Sequence, residues 1–170
     1  MALSIDELMR TAERSAVHLE MRDGYSPVSP GFITWRKGYR GAPTDGASRE
    51  WRALVGETVT RGVAMRRARV VSEPLSDFVR YEYDITSAHN VAAGEAVRWL
   101  SRRRTSELML PGNDFWIFDG RIVQFLLFAG NGEFVEAVVL EDEALVKSCA
   151  DAFEAIWDLS TPHEDYRPSD

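Results

Sequence analysis

The chain has 170 residues and a formal charge of −7, with 45% hydrophobic and 28% charged residues. This is the profile of a single folded domain rather than a disordered chain, and a pI near 5.1 argues against broad nucleic-acid binding. No window reaches the ~20 apolar residues of a membrane span, and Cys149, the single cysteine, excludes an internal disulfide framework or a cysteine-rich zinc site.

The opening MALSIDELMR lacks the basic start and apolar run of a secretory signal, so a cytoplasmic location is expected. Its helix signal is strong. Ser4 with Glu7 forms a capping box, Leu3 can staple to Leu8, and Ile5, Leu8, Met9 and Ala12 share one stripe. In AVHLEMRD, Val17, Leu19 and Met21 alternate with His18, Glu20 and Arg22, as in a half-buried strand. Residues 23–47 are rich in Gly and Pro and read as a long loop with one short helical turn near Trp35. Ser48 can cap a helix carrying Trp51, Leu54, Val55 and Val59 and ending at Gly62. The next strand, VAMRRARVV, places Arg67 and Arg69 on the face of Val63, Met65 and Val71. At least one guanidinium is therefore expected to be partly buried, with Glu20, Glu82 or Asp114 as partner.

Residues 78–86 fit two patterns. Phe78, Tyr81, Ile85, Ala88 and Ala92 recur at helical spacing, whereas Val79, Tyr81, Tyr83 and Ile85 alternate as a strand would. Pro74 as a start and Gly94 as a stop favour the helix. AVRWLSR is the next strand. DFWIF, RIVQFLLF and EFVEAVVL then follow, separated by Asp-Gly and Asn-Gly, the preferred pairs of two-residue hairpins. The middle strand is apolar on both faces, so helices should cover both sides of the sheet. Leu145, Cys149, Ala152, Phe153 and Ile156 make the stripe of a final helix, with Cys149 as a small core residue. Together these elements predict one α/β domain over residues 1–160, a mixed sheet flanked by helices with C-terminal antiparallel strands, and a frayed tail over 161–170.

Familiar catalytic patterns are missing. There is no GxSxG elbow, Walker loop, GxGxxG or HExxH, so neither a cofactor nor a metal is expected. The best candidate site is the junction between the second strand and the following helix. A helix start offers free N–H groups to an anion there, Ser72 and Ser76 add hydroxyls, and Arg69, Arg80 and Arg98 bring cationic forks. Glu73, Asp77 and Asp114 supply carboxylates, and Trp116 with Trp99 supplies an apolar floor. The same charges also read as ordinary i,i+3 and i,i+4 helix pairs, Asp77–Arg80 and Arg80–Asp84. The aromatic-basic run Trp35 to Arg40 could grip nucleic acid or a partner but more commonly reads as a solvated loop with one anchoring Trp, and the triplet Arg102-Arg103-Arg104 reads as a solvated exit from the sheet that would serve equally as a docking patch.

Three segments in order, RVVSEPLSDFVRYEY, NVAAGEAVRWLSR and LPGNDFWIFDGRIVQFLLF, resemble an actinobacterial family of domains of unknown function whose members are often encoded beside helix-turn-helix regulators. More distantly, the chain is similar to half of a phospholipase D-like domain. That resemblance implies a sandwich fold and a His-x-Lys-(x)4-Asp motif, with His as nucleophile, Lys on the phosphate and Asp orienting. The matching stretch here, Asn113 to Asp119, keeps the Phe-Asp-Gly turn but has neither His nor Lys. The expectation is a non-enzymatic regulatory or adaptor protein that binds a small anionic ligand or a helix-turn-helix regulator, as monomer or homodimer. The alternative is a carboxylate- or metal-dependent hydrolase built on Glu73, Asp77, Glu82 and Asp114.

Overall fold

The computed structural model describes residues 3–169. Helix α1 (Ile5–Thr11) begins on the expected box: the Glu7 carboxylate accepts the Ser4 N–H at 2.8 Å, and the Ser4 hydroxyl oxygen accepts the Glu7 N–H at 3.3 Å. Strand β1 (Ser15–Glu20) follows. Residues 23–47 hold a full helix, α2 (Pro30–Arg36), rather than one turn. Pro30 starts α2, and Phe32 and Trp35 fasten it to the body of the protein, which propensity alone did not announce. Helix α3 (Gly46–Thr60) starts before Ser48, because the Asp45 carboxylate accepts both the N–H and the hydroxyl of Ser48 and is the stronger cap.

After β2 (Ala64–Val71), residues 77–89 form helix α4 (Asp77–His89), with Ser76 rather than Pro74 at its start. Its double pattern has a simple cause. Val79 and Tyr83 pack on Trp99, while Phe78, Tyr81 and Ile85 pack on α2, so two helical stripes together mimic alternation. Strands β3 (Ala96–Ser101), β4 (Asp114–Phe118), β5 (Ile122–Phe128) and β6 (Phe134–Leu140) lead to helix α5 (Glu143–Leu159).

The sheet order is β6-β5-β4-β1-β2-β3, with a seventh strand, β7 (Thr161–Pro162), beyond β3. The pairs β1–β2 and β2–β3 are parallel, and the remaining pairs are antiparallel. The β4–β5 turn is the expected hairpin: Asp119 and Gly120 sit at φ +54° and +67°. The Asp119 carboxylate also accepts the backbone N–H groups of Glu13, Arg14 and Ser15 at 3.0, 2.7 and 2.9 Å, tying this turn to the start of β1. The Asn131-Gly132 turn differs. At this turn only Gly132 has positive φ, and the Gly132 N–H bonds the Ala129 carbonyl, so the loop is wider than two residues.

Helices cover both faces, as the doubly apolar β5 required. On one face α5 presses Val146, Cys149, Phe153 and Ile156 onto Leu19, Val70, Leu100 and Ile117. On the other, α1 and α3 bury Leu8, Met9, Leu54 and Val55 against Met65, Trp116 and Phe118. Each such side chain contributes on the order of 1.5–3 kcal/mol of hydrophobic stabilisation.

The expected frayed tail is part of the fold. Strand β7 pairs with β3, the Trp99 indole N–H bonds His163 Nδ1 at 3.1 Å, and Tyr166 stacks on Trp99 at 5.4 Å. Composition hid this because docking depends on one aromatic ring meeting another across 67 residues of chain. Replacing Tyr166 by Ala should cost about 3 kcal/mol and Tyr166→Phe about 1 kcal/mol, measured by urea denaturation. An unchanged midpoint in Tyr166→Ala would show that the segment contributes nothing to stability.

Candidate functional site

One row of neighbouring side chains crosses four strands on the α1–α4 face. Backbone register aligns Gln124 of β5 with Trp116 of β4, Trp116 with His18 of β1, and His18 with Arg67 of β2. With strands ~4.8 Å apart, this ribbon is about 14 Å long. It forms the floor of a cavity of about 660 Å³ whose roof and walls come mainly from α1, α3, α4 and β6. Trp51, Phe78, Ile85 and Leu126 make the walls largely apolar. His18 stacks on Trp116 at 4.1 Å, and Trp51 meets Trp116 edge-on.

The charged end of the floor is an internal ion network. Glu20 accepts from Arg67 Nη1 and from Arg69 Nε, the latter at 2.6 Å. Glu95 accepts from Arg67 Nε and from the Asn90 amide, both at 2.7 Å. Arg69 Nη1 donates to the Thr86 hydroxyl at 2.8 Å, and its Nη2 stands 3.8 Å from Glu82. Burial alone would raise the Glu20 carboxyl, but the two guanidiniums hold it well below the ordinary carboxylate range. Glu82 goes the other way. Burial dominates, Arg69 is too distant for a hydrogen bond, and the carboxyl is pushed up to about 8. Burial, then the Arg67 charge, keeps His18 neutral, well below its ordinary value.

Four buried polar atoms lining this cavity have no hydrogen-bond partner among the described residues: both nitrogens of His18 and Gln124 Oε1 in the floor, and Asn90 Oδ1 at the end of α4. Their residues are 5%, 1% and 2% exposed, and all three line the cavity.

The expected anion receptor at the β2–α4 junction does not form. Arg69 lies in the cavity, but its charge is matched by internal carboxylates. Ser72 donates its N–H and hydroxyl to Asp23 at 2.7 and 2.6 Å, and Ser76 caps α4 while donating to the Asp23 carbonyl. Glu73 accepts the Tyr166 hydroxyl at 2.5 Å. Asp77 is exposed, and Arg80 lies on α4 outside the cavity lining. Arg98 projects from the opposite face, 4.4 Å above the Trp157 ring, because its position in β3 has the other parity from Trp99. Asp114 is buried on the same sheet face as Trp116 but outside the cavity lining, where it accepts the Met21 N–H at 2.8 Å and the Tyr25 hydroxyl. Burial raises its carboxyl to about 6. Of the residues expected for the anion receptor, the cavity therefore unites Arg69 with Trp116, and of the alternative carboxylate set it takes Glu82.

His18, Asn90, Glu95 and Gln124 were not among the expected site residues. Gln124 did carry a signal as the lone polar residue inside RIVQFLLF. Among the described residues no three His, Cys, Asp or Glu side chains converge as a metal cluster, and no helix is long and apolar enough to cross a membrane.

The architecture has solved counterparts. Nuc from Salmonella typhimurium, a phospholipase D family member, superposes with a TM-score of 0.53 at 13% identity, covering 95% of this chain and 88% of that one. TrmBL2, an archaeal chromatin protein described as showing a novel mode of DNA binding, superposes with a TM-score of 0.51 at 14% identity; this chain covers 47% of it and is itself 91% covered. No curated protein sequence matches. The fold is thus phospholipase D-like, and with its family model matching residues 4–168, the chain belongs to the domain-of-unknown-function family DUF6879.

Proposed function

We propose that the protein is a non-enzymatic regulatory or adaptor protein whose cavity holds a small molecule. The observation that carries this reading is the set of buried, unpartnered polar atoms on His18, Asn90 and Gln124, all facing one cavity with largely apolar walls. Buried polar groups in proteins are nearly always hydrogen-bonded, and each one left unmade costs about 1–3 kcal/mol. A guest in the cavity would supply the missing partners, and the aromatic walls would take its apolar body.

Several features speak against hydrolysis. Asn113 to Asp119 lacks the His and Lys that the phospholipase D-like resemblance would require. The chain has lysine only at 37 and 147, and neither lines the cavity. The same fold occurs in a chromatin protein, so the architecture does not by itself imply phosphodiester chemistry. A helix-turn-helix regulator remains the proposed partner. The single cysteine, buried on the inner face of α5, fits a cytoplasmic setting.

The test is a thermal-shift screen of small molecules against the wild-type chain and Ala137→Trp, which fills the cavity from β6. Binders should raise the melting temperature of the wild type and not of the variant, and bis-p-nitrophenyl phosphate should show no turnover. Equal shifts in both proteins, or turnover above blank, would overturn the reading.

A further inference from the structure

Once Glu82 is ionised, the ion network gives the cavity a negative sign. Three carboxylates, Glu20, Glu82 and Glu95, meet two guanidiniums, Arg67 and Arg69. Glu20 and Glu95 take the guanidinium hydrogen bonds, so Glu82 is the acid left without a close partner, with its side chain 12% exposed at the cavity wall. The neighbouring charges leave the excess unchanged. Asp114 adds one carboxylate on the same sheet face beside Glu20, and Arg52 adds one guanidinium, 3.1 Å from His89 Nδ1. Both lining histidines are neutral near pH 7: burial lowers His89 to about 4 and, with Arg67, holds His18 well below its usual value.

The unpartnered atoms point the same way. Asn90 Oδ1 and Gln124 Oε1 are acceptors, and a neutral His18 offers an acceptor nitrogen beside its one N–H. The three acceptors call for N–H or O–H donors from a guest, and the His18 N–H calls for one acceptor. The lining contains Trp51, Phe78, Tyr81, Trp116 and Phe134, whose ring faces attract cations and disfavour anions. The Nη2 groups of Arg67 and Arg69 are the opposing element, but both guanidiniums are already tied to Glu20.

Granting that the cavity is a receptor, we propose that its guest is an organic cation, an apolar or aromatic body carrying a protonated nitrogen that sits against Glu82. This reverses the sign expected from the arginine-rich sequence. It also predicts a proton linkage: a cation beside Glu82 favours its ionised form, so uptake releases a proton and tightens as pH rises from 6.5 to 8.

Tryptamine, indole-3-ethanol and indole-3-acetate share one body and differ in charge, so calorimetric titration of the three isolates the sign. Tryptamine should bind at least about tenfold more tightly than indole-3-acetate. Glu82→Gln should remove most of that preference, and Ala137→Trp should abolish binding. Should Glu82→Gln fail to fold, tightening of tryptamine binding with pH in the wild type, accompanied by proton release, provides the same support. Tighter binding of the acetate or the alcohol, blocked by Ala137→Trp, would overturn the cationic guest and leave the cavity as a receptor. Absence of binding by all three would overturn both.

Discussion

Glu20→Ala is expected to lower stability by about 3–5 kcal/mol, measured by urea denaturation at pH 7. The cost arises less from the attraction lost than from what remains. Arg67 and Arg69 are 6% and 5% exposed, and removing Glu20 takes a hydrogen-bond acceptor from each. Glu95 can compensate Arg67 alone, and Glu82 is too far from Arg69 to replace a direct bond. Glu20→Gln, which keeps one acceptor and removes the charge, should fall between wild type and Ala. By contrast, losing the exposed Lys147–Asp151 pair on α5 should change stability by less than about 0.5 kcal/mol. A Glu20→Ala protein within about 1 kcal/mol of wild type would mean that the two guanidiniums find water or other partners.

The second large effect is on pH dependence. Glu82 has its folded-state value raised from 4.5 to about 8, so the folded chain binds more protons than the unfolded chain between those limits. Its contribution is complete below 4.5 and is lost as pH climbs through 8. Asp114, raised from 3.8 to about 6, acts in the same direction but is spent above that value. The histidines act oppositely. His18, His89 and His163 have lowered folded values, so their contribution grows as pH rises to the ordinary 6.5 and is complete above it. Between pH 7 and 8 the raised Glu82 therefore dominates. Wild-type stability should fall by about 1 kcal/mol across that unit, while Glu82→Gln should stay nearly flat. Parallel curves for the two proteins would show that Glu82 is already ionised at pH 7.

Much of this architecture was legible locally. The Ser4–Glu7 box, the Asp119-Gly120 turn and the Cys149–Phe153–Ile156 stripe each depend on residues within a few positions of one another, and each forms as expected. Glu20 and Glu82 were also nameable as partners for the arginines of β2, because alternation placed Arg67 and Arg69 on a face that had to be buried. Glu95 was not, since it follows a 3₁₀ turn after α4 and reaches the network only through the parallel pairing of β2 and β3. Arg98 was misplaced for a related reason. Adjacency of strands was foreseeable, but which face each residue takes depends on register, and a shift of one residue reverses it.

The sequence by itself determined the helices and strands other than α2 and β7, the doubly covered sheet and the absence of the usual catalytic motifs, because these follow from periodicity, capping and residue type over short spans. Only the tertiary structure decided which charges cancel. It also brought Gln124, Trp116, His18 and Arg67 into one row and sealed Tyr166 onto Trp99. Strand order and register are set by summed packing over the whole chain, and the sign of a buried site depends on distances between side chains far apart in sequence.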